Sequence, residues 1–292
     1  MDETEWLAER FEQHRPRLRA VAYRMLGSLT EAEDAVQDAW IRLSRSNAEQ
    51  IDNLGGWLTT VVARECLHML RSRRRREVAF EGHLPDPVIT PDRDLDPEQE
   101  ALLANSVGLA LLVVLDHLTP AERLAFVLHD TFGVPFEEIA PIVGRSPAAS
   151  RQLASRARRK VRGESTVPDA DPARQREVVD AFLVASREGD LGALLAVLDP
   201  DVVLRADPGA AGAPREVRGA RAVAEQARAF SHLGRFSRRA LVNGVAGIVS
   251  RAPGGPTFSV MGFAVARGKI TEIDILADPE RLRLLDLTFL DD

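Results

Sequence analysis

A chain of 292 residues with 45% apolar side chains can bury more than one core, and it is longer than a single compact helical domain needs. Its one cysteine, Cys66, excludes a disulfide framework and a thiolate metal site, and it fits a reducing compartment. The longest apolar stretch, Val107 to Leu115, is far short of the roughly 20 residues that span a bilayer, and no basic-then-apolar leader opens the chain. A soluble, cytoplasmic protein without membrane contact, metal or other cofactor is therefore expected.

The net charge of −6 is unevenly spread. Residues 1 to 80 carry 13 bases and 13 acids, 81 to 100 carry one and seven, 101 to 170 carry eight and seven, and 171 to 292 carry 16 and 17. Salt screens beyond about 8 Å, so local clusters and not the sum decide whether a nucleic acid is contacted. Two clusters qualify: Arg71, Arg73, Arg74, Arg75 and Arg76, and the run of bases from Arg145 through Arg151, Arg156, Arg158, Arg159 and Lys160 to Arg162. Each closes a predicted helix. A basic helix end is also an ordinary partner for the helix dipole, so neither cluster decides the matter alone.

From Leu18, the residues Val21, Ala22, Met25 and Leu26 follow helical spacing until Gly27 and Ser28 stop it. Thr30 with Glu33 makes a capping box for a second helix, whose apolar face is Ala35, Val36, Ala39, Trp40 and Leu43. Its other face carries Asp34, Gln37, Asp38 and Arg42; on the residues alone it reads first as solvated and second as a docking surface. After Gly55 and Gly56 a third helix is predicted from Trp57 through Cys66 and Met69 into the first arginine cluster. Residues 5–79 thus read as an all-helical domain.

Residues 80–96 are acidic and contain Pro85, Pro87 and Pro91, the marks of an extended linker. Asp96, Pro97 and Gln99 restart a helix, and a second helical domain spans 97–163. Within it Thr119, Pro120 and Glu122 cap a helix bearing Leu124, Val127 and Leu128 that stops near Gly133, and a shorter one follows from Pro135. Gly144 then turns the chain, Ser146 caps and Pro147 opens a basic helix, which is a helix-turn-helix pattern. Projection puts Ala149, Leu153 and Ala157 on its inner side, with Ala148, Arg151, Ser155, Arg158 and Arg162 outward. Such a face suits a major groove, with early residues at base edges and later arginines at phosphates.

A second polar linker lies between Glu164 and Pro172. Beyond it come a helix marked by Val178, Val179, Phe182 and Leu183, a strand at Val202 to Leu204, a helix from Ala220 to Phe230 and several short strands between 236 and 276. Helices followed by a strand meander read as an α+β domain over 172–292.

The string AEDAVQDAWIRL at 32–43, the basic-ended helix at 57–76 and the helix-turn-helix at 119–162 together resemble the extracytoplasmic-function (ECF) sigma factors of bacterial RNA polymerase. The resemblance implies that Asp34, Gln37, Asp38 and Trp40 dock on core polymerase, in place of the solvated reading. It also implies that Trp57, Arg64, Arg71, Arg73, Arg74 and Arg75 contact and melt the downstream promoter element. Ser146, Ala148, Arg151, Gln152, Ser155, Arg158 and Arg159 would read the upstream one. Melted bases stack on aromatic faces beside a basic groove, although Trp57 is equally suited to a core.

The C-terminal part resembles the SnoaL-like extension, of NTF2-like fold, found in the sigma-J type subgroup. Its linker motif is matched by Leu84, Pro85, Asp86 and Pro87, and its late Asn-Pro-Asp-Lys-Leu motif by Ala277, Asp278, Pro279, Glu280, Arg281 and Leu282. A third motif, Asp-Gly-Gly-Gly-Lys, is reduced to Asp207, Pro208, Gly209, Ala210 and Ala211, which puts in doubt any role of that loop's flexibility or charge. The implied role is a built-in regulator that contacts the sigma domains and the linker; any small-molecule ligand is unknown.

Two rivals remain. An isomerase-like enzyme would need a Tyr or protonated acid beside an Asp base. The sole tyrosine, Tyr23, lies outside the domain, His232 is its only histidine, and Asp207 and Asp274 suit surface or turn roles better than pocket roles. A plain helix-turn-helix regulator would leave residues 18–76 without purpose.

Overall fold

The computed structural model describes residues 3–46, 51–76, 84–91, 108–164 and 171–287. The chain divides into two compact units, residues 1–79 with 114–161, and residues 80–113 with 162–292.

In the first unit α1 (Glu3–Leu26), α2 (Leu29–Ser44) and α3 (Leu54–Arg76) pack together, burying Leu18, Val21, Ala35, Val36, Leu43, Val62 and Cys66. The first helix begins well before Leu18, and the second is capped by Ser28, whose hydroxyl accepts the Glu31 N–H at 3.4 Å. The third starts at Leu54, earlier than the glycine pair suggests. Asn53 supplies a cap to the Gly56 N–H at 2.9 Å, and Gly55 fits under the His14 ring, which leaves no room to spare for a side chain.

Residues 114–161 add the end of α4 (Leu109–Asp116), then α5 (Pro120–Phe126), α6 (Phe136–Val143) and α7 (Pro147–Glu164). The capping box at Thr119 and Glu122 is formed in full, and a π turn over Val127–Thr131 ends that helix sooner than the apolar spacing implies. Gly144 turns with φ 74°, a conformation glycine adopts at low cost. These helices lie against α1 and α3: Arg123, 2% exposed, donates to the Arg24 carbonyl at 3.0 Å and is paired with Asp116. Arg17 donates to the Phe132 carbonyl at 3.2 Å, and the Arg24 guanidinium lies 5.1 Å over the Phe132 ring.

The second unit is an α+β domain. Helices α8 (Pro172–Glu188), α9 (Leu191–Val197) and α10 (Ala220–Ala229) cover one face of a seven-stranded sheet, with two single turns, α11 (Ser231–Gly234) and α12 (Pro279–Leu282). The strands are β1 (Ile89–Thr90), β2 (Leu198–Asp207), β3 (Arg215–Arg218), β4 (Ser237–Val242), β5 (Val245–Arg251), β6 (Thr257–Ala266) and β7 (Lys269–Leu276), in the order β1-β4-β5-β6-β7-β2-β3. All pairs are antiparallel except β2 with β7. The core between helices and sheet is filled by Phe182, Leu194, Leu204, Ile248, Phe263 and Ile273, with the Phe182 and Phe263 rings edge to face at 5.4 Å. The helix restart expected at Asp96, Pro97 and Gln99 lies outside the described residues.

Candidate functional sites

On α2 the 3.6-residue period turns Ala32, Ala35, Val36, Ala39 and Leu43 inward, leaving Asp34, Gln37 and Asp38 exposed on one face. Trp40 is half-buried, its ring 5.1 Å from that of Phe11, and Arg42 is bonded to Glu65 at 2.5 Å.

Along α3, Trp57 is half-buried in the first turn, while Arg64 and Arg71 are exposed. Arg73 is half-buried, donates to the Leu26 carbonyl at 3.2 Å and is paired with Glu31, so it ties the helix end to its neighbours. The side chains of Arg74 and Arg75 lie outside the described residues. Burial pushes the Cys66 thiol well above the ordinary thiol range, which keeps it protonated and unreactive.

In α7 the Ser146 hydroxyl accepts the Ala149 N–H at 3.2 Å, and Ser146, Ala148, Arg151, Gln152, Ser155 and Arg159 are exposed. The buried stripe is Ser150, Ala154 and Ala157, not the expected Ala149, Leu153 and Ala157. Ser150 is tolerated inside because its hydroxyl donates to the Ser146 carbonyl at 3.1 Å. Arg151 is bonded to Glu137 at 2.8 Å with its guanidinium 5.6 Å over Phe136, and Phe136 stacks on His129. Arg158 is bonded to Asp130 at 2.6 Å.

A third constellation joins the three motif segments within the second unit. Asp207, fully buried at the end of β2, accepts the Leu84 N–H at 3.0 Å, the Gly209 N–H at 3.0 Å and the Arg281 guanidinium at 2.8 Å. Arg281 also reaches Asp86 at 2.5 Å and the Leu84 carbonyl at 2.6 Å. Asp278 caps α12 through Glu280 N–H at 2.9 Å, Pro279 opens that turn and Leu282 is buried beneath it. Gly209 has φ 58°, and a Cβ there would come within 2.2 Å of the Asp278 carboxyl, so of the motif's three glycines the one retained is the one this packing requires.

The linker continues as a strand. Leu84, Pro85, Pro87 and Ile89 are buried, Ile89 and Thr90 pair with Val242 and Leu241, and Val88 exchanges bonds of 2.7 Å with the backbone N–H and side-chain oxygen of Asn243. Burying Leu84 and Ile89 contributes about 2 kcal/mol apiece.

Arg281 was named from sequence only as a member of its motif, without a role of its own, and Asn243 was not singled out. The signal for Arg281 is the retained positive charge at the lysine position of its motif; Asn243 shows only as Asn-Gly between apolar runs. Asp207 and Asp274 are buried, contrary to the surface or turn placement expected for them. Asp274, 1% exposed, is bonded by Arg205 at 3.2 Å, and the same nitrogen holds Glu272 at 2.8 Å. Among the described residues no three His, Cys, Asp or Glu side chains group as a metal site, and no helix is long and apolar enough to cross a membrane.

Comparisons with known proteins bear on the whole chain. The sigma-70 region 2 family matches residues 10–76 and the sigma-70 region 4 family matches residues 108–161. The ECF RNA polymerase sigma factor SigJ of Mycobacterium tuberculosis is 38% identical over 288 residues, covering 93% of this chain and 91% of its own. The probable ECF sigma factor SigI of the same organism is 38% identical over 277 residues, covering 92% of each chain. The crystal structure of SigJ matches with a TM-score of 0.78 at 35% identity, covering 96% of this chain and 99% of that one. The protein is a transcription initiation factor of the sigma type. It belongs to the ECF RNA polymerase sigma factors, with two helical sigma regions followed by a C-terminal α+β domain, and it serves core RNA polymerase in promoter-directed initiation.

Proposed function

We propose that the exposed Asp34, Gln37 and Asp38 of α2, with the half-buried Trp40 beside them, dock on core polymerase. In this reading Trp57 and the α3 arginines engage the downstream promoter element, and Ser146, Ala148, Arg151, Gln152, Ser155, Arg158 and Arg159 engage the upstream one. The C-terminal domain then regulates both by holding the linker that joins them. The observation that carries the last step is the Asp207–Arg281–Asp86 clasp, which fixes the linker motif to the domain through two carboxylates and one guanidinium. Such charge-assisted, largely desolvated bonds are stronger than surface pairs, and they give the linker a defined path. The Asp274 carboxyl is engaged by Arg205, a feature that supports a regulatory domain over an isomerase.

Paired variants separate the two sigma interfaces. Asp34→Ala with Asp38→Ala lowers affinity for core polymerase and leaves promoter selectivity in the residual complex unchanged. Arg151→Ala keeps core affinity and lowers promoter-specific binding about tenfold, the worth of one good base contact. The reverse pattern, or no effect of either, contradicts these assignments.

A further inference from the structure

The face of α7 assigned to the upstream element carries an arginine that is held from outside its own helix. Arg151 stands in the second turn of α7, the part of a helix-turn-helix that brings side chains to base edges. An exposed arginine there loses rotamer freedom on meeting a base, and its charge suits any phosphate equally well. In this chain that freedom is already reduced.

Two adjacent residues of α6 do this. Glu137, in the first turn, accepts from Arg151 Nη2 at 2.8 Å. Phe136, half-buried just before it, has its ring 5.6 Å beneath the Arg151 guanidinium. That ring is itself fixed: it stacks on His129 with centroids 3.9 Å apart, and His129 Nδ1 donates to the Val134 carbonyl at 3.0 Å. An acid in a first turn ordinarily complements the helix dipole, and Glu138 is equally well placed for that. What sets Glu137 apart is its bond across the Gly144 turn to the next helix. The arrangement recurs further along α7, where Arg158 is held by Asp130 at 2.6 Å.

A guanidinium has several N–H donors in one rigid plane. A carboxylate that engages one edge and a ring that lies against the face therefore leave it able to donate to a base in a set direction. The same carboxylate repels phosphate, which weakens the contacts that carry no sequence information. We propose that Phe136 and Glu137 are positioning residues for upstream-element recognition: they fix the Arg151 guanidinium and thereby sharpen the base preference that Arg151 reads. This role rests on the assignment of Arg151 to the upstream element.

The test uses holoenzyme assembled from the full chain and core polymerase, which selects its preferred upstream element from a random-sequence duplex library. Arg151→Ala should relax the preference at one base pair about tenfold, the worth of one good base contact. Glu137→Gln and Phe136→Leu should relax it at that same base pair, each about threefold, because exposed ion pairs and cation–aromatic contacts are weaker. Phe136→Tyr should leave it intact. Glu138→Gln, which removes the same charge one residue on, should leave the profile unchanged, and neither α6 substitution should alter it further in an Arg151→Ala background. Glu137 is exposed, so its replacement decides the matter even where Phe136→Leu disturbs the fold. If Arg151→Ala relaxes the preference and a folded α6 variant does not, the positioning role alone is overturned. An effect of Glu137→Gln that Glu138→Gln matches, or that persists without Arg151, also overturns it, in favour of a general effect of charge. A profile that Arg151→Ala leaves unchanged, or the absence of any enriched element, contradicts both this role and the upstream reading beneath it.

Discussion

Asp274 shows how much a single residue's setting can matter in this domain. The row Gly247, Gly262, Asp274, Arg205 and Glu216 runs across five strands on the sheet face away from the helical core, and the Asp274 side chain is nonetheless buried, with Arg205 beside it. Burial pushes its pKa up to about 6 from 3.8, against the pull of Arg205 and with added repulsion from Glu272. A raised carboxyl pKa means the folded state holds its proton longer than the unfolded one. Its contribution is therefore fully present below pH 3.8 and is lost as pH rises through about 6. Relative to Asp274→Asn, the wild type should lose stability to urea by an amount on the order of 3 kcal/mol between those limits. Parallel stability profiles for the two proteins would contradict this. The placement itself was not legible in the sequence: the alternation of Glu272 and Asp274 with Ile273 and Ile275 shows a strand with one polar face, but not that the polar face is covered.

At the scale of elements, the capping box at Thr119 and the cap–proline pair at Ser146 and Pro147 could be read directly, because each is a local pattern with local causes. The inward stripe of α7 was misread by one position, since hydropathy treats Ser150 as polar while its hydroxyl is satisfied by the helix backbone. Strand β1 had no sequence signal: two residues after a proline run become a strand only because β4 offers an open edge and Asn243, at φ 53°, turns its amide and side chain toward Val88. Region 4 also carries a tie that spacing does not reveal, Lys160 Nζ to Glu122 at 2.9 Å, which joins the end of α7 to the start of α5. Burial alone would raise the Glu122 pKa, but the bonds from Lys160 and Thr119 outweigh it and hold the carboxyl below its usual range. With Lys160 largely in solvent, Lys160→Met should cost about 1 kcal/mol or less in urea unfolding, and Lys160→Arg should restore most of it. Equal stability of wild type and Lys160→Met would show that the tie contributes nothing.

For the whole molecule, the order of two helical regions and an α+β extension was legible from periodicity, caps and composition, and the motif strings pointed to the family. The way the three C-terminal motifs meet was not legible, because their contacts join residues as far apart as Leu84 and Arg281 through one guanidinium. That meeting underlies the central claim, that the C-terminal domain governs initiation by holding the linker. The direct measurement is promoter-specific transcription by purified core RNA polymerase supplied with the full chain, with Arg281→Gln or with Asp86→Asn, after circular dichroism has shown each variant to be folded. The account predicts that the wild type initiates and that both variants initiate at a level changed several-fold in the same direction. Equal initiation by all three would contradict regulation through the clasp, and no initiation by any of them across a broad promoter panel would contradict the sigma assignment itself.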